Sequence, residues 1–335
     1  QVCPPKSIDF LMPKERLLTR QVAAIVVAVG YSMLDPRELR EFGYGAHPDV
    51  LTAMEFERLI NSAGPTGGEI IRPSDGRHPN NILFVLCVGS RDKRYYPYCS
   101  RFCCMYSIKH AYQAIDHGLE DVTVLYMDIR AYGKGFDGFW SRTDEAGARF
   151  VRGRPSRITP NGDGLQVVYE DTEKFARLEE SYDMVVLANA VIPTKGLFEL
   201  TERLGIELDE DGFIRAQEVQ GGLVMTTRPG IYAAGCASGP KDIPDSVAEG
   251  SGAAALSLSH LTERYWPEPT EIEPIRDIDI PRVGVFVCHC GSNIAGVVDV
   301  EKVVNFAESL PDVVYAANQM FSCAGNTQYD IEEAI

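Results

Sequence analysis

The 335-residue chain has no excess of basic residues: 32 Lys and Arg stand against 48 Asp and Glu, a net charge of −16 at pH 7. Proteins that bind nucleic acid or an anionic membrane surface carry a basic footprint, so neither is an expected partner. Long apolar runs are missing too. The longest, residues 23–30 and 184–188, fall well short of the ~20 residues that cross a bilayer. No charged-then-apolar leader opens the sequence, which points to a cytoplasmic protein. The first residue is Gln1 rather than Met, and the chain reads as a piece of a larger polypeptide. What remains is ordinary globular composition, 45% hydrophobic and 24% charged. At ~150 residues per domain the length predicts about two domains.

The cysteines are the first positive signal. There are nine, an odd number, in a chain too large to need disulfide staples. Cys87, Cys99, Cys103 and Cys104 lie within one stretch of the chain, Cys288 and Cys290 flank His289, and Cys3 precedes Pro4. Cys236 and Cys323 stand alone. Simple burial would scatter thiols through apolar segments. Clustering beside polar residues points to ligands or redox chemistry, and a reducing compartment favours metal-bound thiolates over disulfides.

Patterning predicts an α/β protein. A buried strand is expected over 21–30, closing on a glycine turn at Gly30, and another over 81–88 (NILFVLCV). A helix over 98–117 and a strand over 121–127 complete a strand–helix–strand unit, the mark of a parallel sheet. Further helices are expected near 51–63, 136–148 and 244–265, and strands at 149–159, 165–169, 183–188 and 230–234. A proline- and acid-rich segment, 266–281, reads as an extended linker. Beyond it a strand at 283–288, a helix near 300–310 and a strand near 313–316 open a new domain. The expected division is therefore a tail (1–16), a main domain (17–265) with a distinct second lobe (79–195), the linker, and a small incomplete domain (282–335).

The segment CVGSRDKRYYPYCSRFCCMYSIKHA (87–111) spaces its thiols C-x11-C-x3-C-C. If its second part is helical, Cys99 and Cys103 share a face and Cys104 turns away. A tetrathiolate set suits an iron–sulfur cluster or zinc, and a vicinal Cys103–Cys104 disulfide is a third reading. Arg91, Lys93, Arg94 and Arg101 would offset the negative charge of bound thiolates. Later, Pro244 suits the first turn of a helix. The N–H groups around Ile243 would then face outward at the positive end of the helix dipole.

Three segments, IVVAVG (25–30), MVVLANAVIP (184–193) and TTRPGIYAAGCASGPKDIPDSVAEGSGAAA (226–255), resemble flavoproteins of the thioredoxin-reductase fold, in which two dinucleotide-binding lobes share one chain. The family's first GxGxxG fingerprint is absent. Cys236 stands where the family usually has an acidic residue, and the cysteine segment replaces the second fingerprint. With that segment and VGVFVCHCGSNIAGVVDVEKVV (283–304), the chain more closely resembles the HdrA component of heterodisulfide reductase. This is a flavin and iron–sulfur protein of methanogens, with relatives in anaerobic bacteria.

The resemblance implies a thioredoxin-reductase-like FAD/NAD(P)-binding fold with two Rossmann-type lobes. It places FAD near Gly30, Gly235, Cys236, Lys241, Asp242, Ile243 and Pro244, with Lys109 as a catalytic cation approaching the flavin ring. Cys87, Cys99, Cys103 and Cys104 would bind one [4Fe–4S] cluster. Cys3 would be the last cysteine of a ferredoxin-like insert. Cys288, Cys290 and Cys323 match a small CHCG domain that usually precedes the flavin domain, so its position here suggests a tandem or fused arrangement. Three cysteines leave its fourth ligand open, with His289 one option. The implied function is electron transfer, through flavin-based bifurcation between ferredoxin and a disulfide-type acceptor. The implied partners are the HdrB and HdrC components of heterodisulfide reductase, a hydrogenase or formate dehydrogenase iron–sulfur subunit, and ferredoxin. The alternatives are an NAD(P)H-dependent disulfide reductase using Cys103 and Cys104, and a zinc-stabilised scaffold protein.

Overall fold

The computed structural model describes residues 17–61, 64–217, 222–261, 281–290, 292–323 and 325–335, with Leu11, Pro13 and Glu15. They divide between two compact units, one built from Val22–Ile60 and Glu69–Arg264, the other holding the chain from residue 281 onward. Cys3 and nearly all of the 266–281 linker lie outside the described residues.

The larger unit runs β1 (Ile25–Val27), β2 (Tyr31–Met33), β3 (Val50–Thr52), α1 (Ala53–Leu59), β4 (Asn81–Val88), α2 (Cys103–Asp116), β5 (Asp121–Tyr126), α3 (Phe136–Glu145) and β6 (Arg149–Arg152). It continues through β7 (Pro155–Asn161), β8 (Gly164–Asp171), β9 (Ala176–Tyr182), β10 (Met184–Asn189), β11 (Val191–Pro193), α4 (Leu197–Leu204), β12 (Ile231–Ala233) and α5 (Ile243–Leu258). Five strands form one parallel sheet in the order β3-β10-β4-β5-β6. The β4–α2–β5 crossover is the expected strand–helix–strand unit, and the α/β class read from the sequence holds. β7, β8 and β9 form an antiparallel sheet, while β1 pairs in parallel with β12 alone.

The run NILFVLCV is apolar throughout because both faces of β4 are covered. Ile82, Phe84 and Leu86 share a layer with Phe56 of α1 and Ala111 and Ala114 of α2. Leu83 and Val85 point the other way, into a layer with Ile158, Leu165 and Val167 of β7 and β8. Each large side chain buried in these layers contributes roughly 1.5–3 kcal/mol. The alternation breaks at Cys87. Strict period-two order would send its thiol toward β8, yet it joins Leu86 in the layer with α2, and Val88 takes the opposite face. The cause is local: Cys87 has φ +58°, in the left-handed region that non-glycine residues rarely adopt.

Several boundaries differ from expectation. The strand expected over 21–30 shortens to three residues, paired along one edge by β12, with Ile25 37% and Val26 43% exposed. The helix expected from 51 begins after Thr52, whose side chain and that of Glu55 cap each other's backbone N–H groups. The helix expected from 98 begins at Cys103. Strand β9, ARLEESY, carries too many charges to read as a strand alone, and forms by pairing with β8 along its whole length.

The smaller unit holds β13 (Val283–Cys288), α6 (Ser292–Ala295), α7 (Val300–Glu308), β14 (Val313–Gln319) and α8 (Gly325–Ala334). β13 and β14 pair in parallel, with Cys288 opposite Gln319. Asp299 caps α7 by accepting the Lys302 N–H at 3.1 Å.

The joint between the two sheets of the larger unit can be tested at two points. Gly153 carries the chain from β6 into β7, and a Cβ there would lie 2.0 Å from the Glu170 carbonyl oxygen. Gly153→Ala is expected to lower unfolding free energy by about 1–3 kcal/mol, read by urea denaturation. Glu180 accepts from Arg149 at 2.6 Å, Tyr182 at 2.7 Å and Tyr169 at 2.8 Å. Burial opposes its ionisation, but these donors outweigh burial and bring the carboxyl down to about 2. A depressed folded-state pKa stabilises above the unfolded value of ~4.3, and the gain is lost as pH falls through the folded value. Stability is therefore expected to decline between about pH 5 and pH 2, and Glu180→Gln to flatten that decline.

Candidate functional site

The loop after β4 leaves the carboxyl end of the parallel sheet, where open α/β sheets bind ligands. It is tied down at both ends. Tyr96 N–H donates to the Gly89 carbonyl at 3.1 Å. The Tyr98 hydroxyl donates to the Val191 carbonyl and the Ser100 hydroxyl accepts the Val191 N–H, each at 2.9 Å. Gly89 has φ +81°, and a Cβ there would strike Leu34, so this turn needs glycine.

Cys87 at the end of β4 and Cys103 and Cys104 at the start of α2 are buried, and Cys99 in the loop is half-buried. Cys99 and Cys103 are therefore not on one helical face as expected, because α2 begins only at Cys103. Cys103 and Cys104 hydrogen-bond through their sulfur atoms, which holds Cys104 below and Cys103 above the ordinary thiol value. Cys87 and Cys99 are near enough to raise Cys103 further. Burial pushes the Cys87 thiol up to about 11, with Cys104 adding to the effect and Arg91 opposing it. Arg91 hydrogen-bonds Cys87 and forms an ion pair with Asp128 beyond β5. Arg94, expected to serve the thiols, instead grips Asp92 at 2.9 Å.

The backbone is shaped toward sulfur. The Arg101 N–H donates to Cys99 Sγ at 3.3 Å, and Arg101 has φ +67°. The smaller unit repeats the device. Cys290 (φ +49°) donates its N–H to Cys288 Sγ at 3.3 Å, and Ser322, beside Cys323, donates to the same sulfur at 3.4 Å. These bonds hold the Cys288 thiol below its ordinary value. Parallel pairing of β13 and β14 brings Cys288 and the Cys323 segment to one end of the unit. Among the described residues, no three His, Cys, Asp or Glu side chains converge into a preformed metal cage.

A cavity of about 610 Å³ opens between α2 and the start of α5. Tyr31, Phe102, Met105 and Tyr106 form one wall, and Cys236, Lys241, Asp242, Ile243 and Pro244 form the other. Five of the residues expected at the flavin are thus brought together. The Tyr106 hydroxyl is buried with no partner in the protein, as expected of a wall that faces a polar ligand. Gly30 has φ +71° and a Cβ there would meet nothing within 4 Å, while Gly235 (φ +66°) donates its N–H to Glu249 at 2.9 Å.

Individual roles differ from expectation. The Lys241 ammonium turns inward, to both Glu249 oxygens at 2.8 Å and to Ser238 at 2.7 Å. The Asp242 carboxylate takes the Asp245 N–H at 2.9 Å, so the helix start that was expected to offer free donors is partly self-capped. Cys236 is buried and its thiol lies 3.5 Å from the Lys241 carbonyl, the environment of a small core residue. Lys109 does not join the cavity: Glu57 holds its ammonium at 2.6 Å and also meets His110 at 2.5 Å. Tyr31, Arg130 and Tyr132 line the cavity without any motif to announce them.

No protein-family model matches the chain. Over 260 residues, 76% of its length, it is 46% identical to the HdrA component of the H(2):CoB-CoM heterodisulfide,ferredoxin reductase of Methanothermobacter thermautotrophicus. It is 44% identical over the same length to the second of two iron-sulfur HdrA proteins of the CoB--CoM heterodisulfide reductase of Methanopyrus kandleri. The chain is a homologue of the HdrA proteins of heterodisulfide reductases. A heterodisulfide reductase HdrA-like protein of Archaeoglobus profundus is 36% identical over 300 residues. The chain spans about two-fifths of the length of these relatives, 39%, 40% and 42% respectively. Thioredoxin reductases of T. acidophilum and Lactococcus lactis align at TM-score 0.46, with 16% and 19% identity. They cover 70% and 71% of this chain and 65% of their own, a likeness too weak to bear on the fold.

In this HdrA homologue the sulfur donors, the N–H groups aimed at them and the Arg91 guanidinium suit a thiolate-bound cluster, and the cavity, with the unpartnered Tyr106 hydroxyl in its wall, suits a flavin dinucleotide. The placement of Lys241 yields a test. Its side chain is 7% and that of Glu249 15% exposed. Lys241→Met strands the Glu249 carboxylate, and a loss of about 3–5 kcal/mol is expected by denaturant unfolding of protein without cofactor. A residue serving only the ligand would leave that value unchanged.

Proposed function

We propose that this chain is the FAD- and [4Fe–4S]-bearing electron-transfer part of a heterodisulfide-reductase-like oxidoreductase complex. The observation that carries the reading is the shared wall. The loop and helix that bear Cys99, Cys103 and Cys104 also supply Phe102, Met105 and Tyr106 to the cavity whose other side is the start of α5. Whatever occupies that cavity lies beside the thiols. Cys87, Cys99, Cys103 and Cys104 would hold the cluster, and Gly30, Gly235 and residues 241–244 would border the flavin. FAD supplies the exchange between two-electron and one-electron carriers. The protein's part is to exclude water with aromatic walls and to stabilise thiolate charge through Arg91 and the Arg101 N–H.

In the same reading, Cys288, Cys290 and Cys323 hold a second cluster in a small 282–335 domain, and Cys3 closes a ferredoxin-like insert at 1–16. The two lobes of a thioredoxin-reductase-like fold are the five-stranded sheet and the β1–β12 pair with α5. The relatives' names join heterodisulfide to ferredoxin, hydrogen, formate or F420H2. Those names support bifurcation of electrons between ferredoxin and a disulfide-type acceptor. They also support partners of the HdrB and HdrC kind, with a hydrogenase or formate dehydrogenase protein. No helix among the described residues is long and apolar enough to cross a membrane, in keeping with a cytoplasmic complex.

The hydrogen-bonded Cys103–Cys104 pair favours a second reading, a dithiol reductase driven by a nicotinamide coenzyme. Anaerobic purification of the complete complex, with iron and flavin counted, decides between them. A brown protein absorbing at ~400 nm is expected, and Cys103→Ala should remove one [4Fe–4S] EPR signal while FAD stays bound. Colourless, zinc-containing protein would overturn the reading. Bleaching of the flavin by NADH without partner proteins would favour the dithiol enzyme.

A further inference from the structure

Arg101 stands in the wall common to two cavities. One, of about 530 Å³, is lined by Cys99, Arg101, Ile129, Arg130 and Tyr132. The other is the cavity between α2 and α5, which Arg101 also lines. The residue is held from several sides. Its backbone, at φ +67°, gives the N–H to Cys99 Sγ. Its guanidinium pairs with Asp245 in the first turn of α5, and its Nε donates to the Tyr132 hydroxyl. The charge lies 5.2 Å from the Tyr132 ring centre. One side chain therefore joins the thiol loop, the segment after β5 and the start of α5.

The other charges nearby are committed. Arg130 pairs with Asp128 at 3.4 Å. Lys241 is spent on Glu249, and Asp242 caps α5. Asp245 is the acidic partner of Arg101, and the two are 43% and 37% exposed.

We propose that Arg101 is a positioning residue whose charge tunes the cofactor held between α2 and α5, favouring its reduced state, and that Asp245 sets how much of that charge the site feels. The proposal rests on the flavin reading above. Reduction adds negative charge to a flavin, and a cation in the cavity wall favours the more negative state. An adjacent carboxylate weakens that effect. Removing Arg101 and removing Asp245 must then act with opposite sign, although each breaks the same ion pair. A clamp that served only to hold elements together would respond to both losses alike.

The test is the flavin midpoint potential of the anaerobically purified complex, measured by spectroelectrochemistry, with FAD affinity followed by fluorescence. Arg101→Gln is expected to shift the potential to a more negative value and Asp245→Asn to a more positive one. Arg101→Lys, which keeps the charge, should stay near wild type, and the double variant should fall between the single ones. Should Arg101→Gln fail to fold, Asp245→Asn and Arg101→Lys still decide the matter through the sign of the first and the rescue in the second. Flavin bound with shifts of the same sign, or none, would overturn the role of Arg101 alone. Wild-type protein that binds no flavin would overturn the underlying reading and this proposal with it.

Discussion

A strand buried on both faces leaves its side chains no choice but to alternate, and the turn at Cys87 is where this molecule departs from that constraint. The layers above and below β4 fix Ile82 through Leu86 in register. The positive φ at Cys87 then swings one thiol onto the side of α2, where Cys103 and Cys104 begin the helix. A non-glycine residue in this region costs on the order of 1–3 kcal/mol, a strain sustained because the surrounding sheet over-determines it. Without that inversion the thiol would sit under the antiparallel sheet, away from the others.

The same kind of backbone recurs where sulfur is concerned. Of the six non-glycine residues with positive φ among those described, Cys87, Arg91, Arg101 and Cys290 all belong to cysteine motifs. At Arg101 and Cys290 the effect is the same, an N–H turned back onto the sulfur two residues earlier. Hydrogen bonds of this sort stabilise thiolate and adjust the potential of whatever the thiolate binds. Two units with different folds have arrived at one local solution.

Charge is handled differently around the cavity between α2 and α5. Its walls are largely aromatic and aliphatic, and the ionic groups at its edge are paired with one another: Lys241 with Glu249, Arg101 with Asp245. Paired charges keep the wall from demanding water while leaving a dipole close by. The helix start of α5 contributes less free positive character than a bare terminus, because Asp242 and Asp245 stand at its first turn.

Much of this architecture is legible without coordinates. The apolar runs of β4 and β5 with the helix between them announce a parallel sheet, the clustering of Cys87, Cys99, Cys103 and Cys104 announces neighbouring thiols, and Pro244 announces a helix start. These signals are local, set by periodicity, capping and ligand chemistry over a few residues. The sequence alone did not show that Cys99 sits off the helix, that Cys87 breaks step with its strand, or that Lys109 and Lys241 spend their charges on Glu57 and Glu249. Strand β9, the partners of Arg101 and the aromatic wall were hidden for the same reason. A torsion forced by packing, or an ion pair between residues 144 positions apart, depends on which surfaces meet after folding. Only the tertiary structure brings those surfaces together.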